Sequence, residues 1–172
     1  MAFDRYNVGY STLIPIFNYL VQETFAGRIT MPTEKVTHIS ALKAWEIIQQ
    51  EPKVAFIDVR SDMEFLFIGH PVGSVNIPWI DEPDFEINPH FVRDVRKLVL
   101  GGVIDSKEHH SVPVLLICRS GNRSDEAGKL LVENGFHRVY NIEQGFEGDL
   151  NEKHQRSTQG GWRYDGLPWE QC

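Results

Sequence analysis

The sequence predicts an α/β fold, and three features predict it. Two apolar runs, Val54 to Val59 and Val112 to Ile117, are near-continuous rather than alternating. That is the pattern of strands buried on both faces. Stretches with apolar residues at helical spacing separate and flank them. The second run stops abruptly at Cys118, and a short loop then leads into a helix. Open α/β sheets place their sites at such strand ends.

The elements follow in order. Ser11-Thr12 caps a predicted helix reaching Phe25, with Leu13, Ile16, Phe17, Leu20, Val21 and Phe25 on one face. The segment lacks a basic face, so residues 1–35 are expected to form a helical extension that packs on the protein rather than on a membrane. Val36 to Ile39 is a short strand. Ser40 caps a helix from Ala41 to about Gln50, with Leu42, Trp45, Ile47 and Ile48 as its buried stripe. Val54 to Val59 follows as a strand. Asp58 and Arg60 lie at its C-terminal end, where bracing is preferred to catalysis: Asp58 accepting loop N–H groups, Arg60 pairing with Asp62 or Glu64. Asp62 to Ile68 is a short helix leading into Gly69-His70. His70 reads as a loop-holding side chain in preference to a general base.

Ser74 to Ile77 is a strand stopped by Pro78. Trp79 to Ile87 is acidic and irregular, a solvated loop. Asn88-Pro89 opens a helix with Pro at its first position, running to Gly101-Gly102. The adjacent His109-His110 lacks partners at ligand spacing, so no metal site is expected. Arg138 to Ile142 is the last strand. The tail 151–172 carries Trp162 and Trp169 among glycines, which suggests an ordered segment packed back on the body.

Cys118-Arg119-Ser120-Gly121-Asn122-Arg123-Ser124 is where chemistry concentrates. Ser124 caps the following helix, which carries acidic residues in its first turn and stops at Gly135. A cysteine placed between a buried strand and a helix N-terminus meets converging N–H groups and a positive dipole. Both favour the thiolate, and Arg119 and Arg123 add full charge. Cys172, the second cysteine, is terminal and beside its own carboxylate, which disfavours a thiolate.

The loop Cys118 to Ser124 resembles the active-site loop of rhodanese-like sulfurtransferases. Phe56-Ile57-Asp58-Val59-Arg60, then Glu64, then Gly69 to Pro78, resembles that family's second signature, with Ser74 where alanine is usual. Glu143 to Gly148 resembles its glycine-rich turn. The likeness covers about Val36 to Gly148. It implies a three-layer rhodanese-like fold over residues 36–150, with a central parallel sheet flanked by helices. It also implies transfer of sulfane sulfur, from thiosulfate or a protein persulfide to a thiol or cyanide, through a persulfide on Cys118. Arg119, Ser120, Gly121, Asn122, Arg123 and Ser124 would bind the donor, with Asp58, Arg60 and His70 in support. No metal or organic cofactor is needed.

Composition sets bounds. The chain has 172 residues, 41% of them hydrophobic, enough for one domain with a real core. A net charge of −7 argues against nucleic acid or an anionic membrane as partner. Two cysteines suit a reducing compartment, and with no signal segment at the start a cytoplasmic protein is expected. Two rivals stay open. One is a phosphatase or arsenate reductase, although phosphatases place arginine six positions after the cysteine, where this chain has Ser124. The other is a non-turnover rhodanese-like carrier or regulatory module.

Overall fold

The computed structural model describes residues 35–101 and 112–172, all within the compact unit Met31–Cys172. In chain order its elements are β1 (Thr37–Ile39), α1 (Ala41–Gln50), β2 (Ala55–Asp58), α2 (Asp62–Ile68), β3 (His70–Pro71), β4 (Val75–Asn76), α3 (Phe91–Gly101), β5 (Val114–Ile117), α4 (Asn122–Glu133), β6 (Val139–Ile142) and β7 (Trp169–Glu170). The N-terminal helix expected before Phe25 and the His109-His110 pair lie outside the described residues.

The two apolar runs become the middle of the sheet. Every residue of β2 and β5 is buried. They pair in parallel with Asp58 beside Ile117, within the strand order β1-β6-β5-β2-β4. Each pairing in this sheet is parallel. The fold is therefore mixed α/β, with a five-stranded parallel sheet flanked by helices. The pleat divides the core in two. Ala55, Ile57, Val114 and Leu116 face α3 and α4 through Phe91, Val95, Val99, Ala127 and Leu131. Phe56, Leu115 and Ile117 face α1 and, from the tail, Trp162 and Leu167.

The tail thus fills a place in the second face. Trp162 has 0% exposure, the largest fully buried side chain described. Its ring stands edge-on to Trp45 at 6.0 Å and lies 5.2 Å from Phe56. Its Nε1–H donates to the Pro168 carbonyl at 2.8 Å, so the polar end is satisfied. β7 then pairs antiparallel with β3, His70 opposite Glu170.

Local expectations are met and corrected in turn. Ser40 caps α1, its hydroxyl accepting from Lys43 N–H at 3.2 Å. The buried stripe of α1 runs through Ala41 and Ala44, with Trp45, Ile47 and Ile48 partly covered, whereas Leu42 is 54% exposed. Leu42 is one position off the 41-44-45-48 stripe, so the helix turns it outward. Ser61 and Glu64 close a full capping box at the start of α2. α3 begins at Phe91, not at Pro89. Asn88 forms the turn before it, its Oδ1 accepting from His90 N–H and its carbonyl from Phe91 N–H. The acidic loop is exposed at Glu82 to Ile87 but anchored by Trp79, 4% exposed and edge-on to Phe91 at 5.2 Å. No described helix is long and apolar enough to cross a membrane.

Candidate active site

Cys118 directly follows the last residue of β5 and is 1% exposed. The chain then folds tightly back, so that Gly121 N–H donates to Cys118 Sγ at 3.1 Å. Gly121 has φ 97° and is the N-cap of α4. The left-handed region costs a side-chain-bearing residue roughly 1–2 kcal/mol, and glycine escapes that cost. Asn122 and Arg123 open the helix, where amides have no partner in the helix itself. The sulfur therefore lies at the positive end of a twelve-residue helix.

Ser124 is buried and is not the cap that its residue type suggests. It lies within the first turn, with Oγ 3.3 Å from Cys118 Sγ, 3.2 Å from the Gly121 carbonyl and 2.6 Å from Asn141 Oδ1. The hydroxyl points inward to the sulfur and to β6 rather than to a backbone amide. Asn141, 2% exposed, returns a hydrogen bond from Nδ2 to the Gly121 carbonyl at 3.1 Å.

A second layer fixes the loop from outside. Phe146 N–H donates to the Cys118 carbonyl at 2.8 Å, and Glu147 N–H to the Arg119 carbonyl at 3.0 Å. This close approach depends on Gly145, at φ 54°. A Cβ there would collide with the Cys118 carbonyl oxygen and stand 2.7 and 2.8 Å from atoms of the Arg119-Ser120 peptide. Gly145→Ala should destabilise the protein by about 2–4 kcal/mol, from left-handed strain plus overpacking. Chemical denaturation measures this. A variant as stable as the parent would show that the turn is not packed on the loop.

The two arginines separate. Arg119 is exposed and forms no ion pair among the described residues. Arg123, expected to face an anion, donates instead to both oxygens of Glu64, at 2.7 and 2.8 Å. It joins the loop to α2. Burial works against the Glu64 carboxylate, but these hydrogen bonds and the Arg123 charge outweigh it and hold Glu64 below its ordinary value. The same hydrogen bonds raise Arg123.

The supporting residues are placed at the same sheet edge. Arg60 pairs with Asp58, not with Asp62 or Glu64: Nη2 donates to Asp58 Oδ2 at 2.6 Å and to the Gly69 carbonyl at 2.7 Å. Both side chains are fully buried, and the guanidinium lies 4.4 Å over the Phe146 ring. The chain still runs along the sheet at Val59, whose N–H donates to Ile117 and whose carbonyl accepts from Trp79, and residues two apart in extended chain share a face, which sets Arg60 beside Asp58. Asp58 does accept one loop N–H, from Arg60 itself at 3.0 Å. His70 stacks on Phe65 at 3.6 Å, its Nδ1 3.0 Å from the Phe65 carbonyl and its Nε2 3.4 Å from Glu170. It braces α2 and the tail. Among the described residues no cluster of histidine, cysteine or carboxylate side chains could hold a metal.

The sequence reading did not assign Glu64 to Arg123, nor Asn141 and Gly145 to the loop. Asn141 had a signal, being a polar residue inside an apolar strand. Glu64 had none, since its partner lies far along the chain.

Comparison with known proteins agrees with this arrangement. The model of the Rhodanese-like domain matches residues 40–152. The crystal structure of Rv0390 from M. tuberculosis is 33% identical and covers 80% of this chain and 99% of that one, with a TM-score of 0.66. The thiosulfate sulfurtransferase GlpE of Actinobacillus pleuropneumoniae is 27% identical over 144 residues, 80% of this chain and 96% of that protein. An uncharacterized protein of Rickettsia rickettsii is 29% identical over 140 residues, 78% of this chain and 98% of its own length. With its cysteine loop at the end of a central parallel strand and the family match spanning most of its length, this chain belongs to the rhodanese-like family, and at the level of that family it is of sulfurtransferase type.

Proposed function

We propose that the protein transfers sulfane sulfur through a persulfide on Cys118. The observation that carries this reading is the aim of Gly121 N–H at a sulfur that lies at a helix N-terminus, with Ser124 Oγ 3.3 Å away. The Cys118 thiolate attacks the outer sulfur of thiosulfate. A sulfur–sulfur bond forms, the donor's sulfur–sulfur bond breaks, and sulfite leaves with the electron pair. A persulfide donor would release a thiolate instead. The acceptor, a thiol or cyanide, then attacks the outer sulfur of the persulfide, and Cys118 leaves as thiolate. The preorganised Gly121 N–H and the positive helix end stabilise the sulfur charge at each stage. Arg119, exposed and without an ion pair among the described residues, is the group that meets an anionic donor in this reading. Arg123, Asp58, Arg60 and His70 hold the loop in shape.

In this reading residues 36–150 carry the transfer, and 151–172 complete their core. The protein works in the cytoplasm without a cofactor. Phosphate chemistry is disfavoured, because the arginine that would clasp a phosphate is locked to Glu64. The test compares thiosulfate plus cyanide with a protein-persulfide donor. Turnover with either supports sulfur transfer, and the faster donor identifies the class. A protein that hydrolyses aryl phosphates and turns over neither sulfur donor would overturn the proposal.

A further inference from the structure

A chain of polar contacts leads from the sulfur to the surface, hydrogen-bonded as far as the His38 ring. His38 lies beside Asn141 in the β1–β6 register. Asn141 Nδ2 stands 3.2 Å from His38 Nδ1, and His38 Nε2 stands 3.3 Å from Asp125 Oδ1. The His38 side chain is 46% exposed, so it exchanges protons with solvent, whereas Asn141 and Ser124 are buried. The groups in order are Cys118 Sγ, Ser124 Oγ, the Asn141 amide, the His38 ring and Asp125. We propose that His38 is a positioning residue for Cys118, setting through Asn141 which way the Ser124 hydroxyl donates.

The reasoning is a count of protons. The Gly121 carbonyl only accepts, so the amide nitrogen of Asn141 faces it, and its second N–H faces His38 Nδ1. Nδ1 then accepts, and the ring is neutral with its proton on Nε2, toward Asp125. Asn141 Oδ1 faces Ser124 and takes its single hydroxyl proton at 2.6 Å. In this arrangement Ser124 offers the sulfur a lone pair. Protonating His38 puts an N–H on Nδ1, against the N–H of Asn141. Turning the amide over relieves the conflict. Oδ1 then accepts from Nδ1–H, and Nδ2 donates to Ser124 Oγ. The Ser124 proton is left to donate to the Cys118 thiolate. The turn sets Asn141 Oδ1 where Nδ2 stood, 3.1 Å from the Gly121 carbonyl oxygen, a repulsive contact that is the cost of the turned state, while that carbonyl keeps a donor in Asp125 N–H at 3.2 Å.

The charges around His38 are mixed. Asp125 faces it from α4 but also holds Lys129 at 2.6 Å. Lys35 and Glu133 line the cleft on one side, and Glu143 and Asp149 the cleft on the other. Histidine is in general the side chain that changes charge between about pH 5 and 8.

This inference deepens the proposed role of Cys118, and its test is independent of sulfur transfer. The rate of Cys118 alkylation by iodoacetamide is followed against pH in Cys172→Ser protein and in Cys172→Ser/His38→Gln. Glutamine has no charge to gain between about pH 5 and 8, so the partner it offers Asn141 does not change with pH. On the acid side the His38 protein should alkylate about threefold faster, because a better donor raises the thiolate fraction more than it lowers nucleophilicity. Above the His38 transition, which proton NMR assigns, the two should converge. Ser124→Ala should erase the difference. Superimposed profiles would overturn the proposal. So would a His38→Gln effect that persists undiminished in Ser124→Ala, which would mean that the imidazole acts by charge alone.

Discussion

Replacing Cys118 by serine should reduce sulfur transfer from thiosulfate to cyanide to the uncatalysed level, a loss of roughly 10⁵-fold, as for other enzymes deprived of their nucleophile. Serine keeps the shape of the side chain, so the fold should survive. Its hydroxyl stays protonated at neutral pH and forms no persulfide. The Gly121 N–H and Ser124 hydroxyl would still converge on the position but would have no anion to stabilise. Cys172, exposed at the chain end beyond β7, should be replaceable by serine with steady-state kinetics unchanged. Turnover retained in Cys118→Ser would refute the mechanism. Turnover lost in Cys172→Ser, with normal sulfur loading, would instead make the terminal thiol a relay.

Trp162→Ala should be the most damaging change to stability away from the loop. The indole is wholly buried between Trp45 and Phe56, where it fills one face of the sheet. Truncating such a side chain removes its transfer free energy and leaves a cavity, a cost of about 4 kcal/mol. For a protein of this size that is a fall in Tm of roughly 8–16 °C. The Nε1 hydrogen bond to Pro168 goes too, and with it a tie on the segment that carries β7 to β3. Thermal unfolding by circular dichroism measures the effect. A Tm within two degrees or so of the parent would mean that the tail is a surface patch and not part of the core.

The sheet was legible because its central strands are apolar on both faces, and no other element of this length carries that signature. Cys118 was legible as the reactive residue because a strand end, a turn and a helix start coincide there. What the sequence could not show depends on which distant groups meet. Arg123 looked like a free cation, but α2 brings Glu64 to it across the sheet edge. Arg60 looked due to pair forward with Asp62 or Glu64, but in extended chain it shares a face with Asp58, two residues back, and pairs there. Ser124 looked like a cap, because serine before acidic residues usually is one. The glycine three residues earlier takes that role and leaves the hydroxyl for the sulfur and Asn141. Leu42 failed for a plainer reason: it stands one position off the stripe of Ala41, Ala44, Trp45 and Ile48, and the helix turns it outward.

The central claim is that Cys118 carries the sulfur, and mass measurement tests it most directly. The purified protein is incubated with thiosulfate, and its intact mass is read before and after reductant, followed by peptide mapping. One added sulfur atom on the peptide containing Cys118, removed by reductant or by cyanide, is the predicted result. No added mass with thiosulfate or with any persulfide donor, or a sulfur that maps to Cys172 alone, would contradict it.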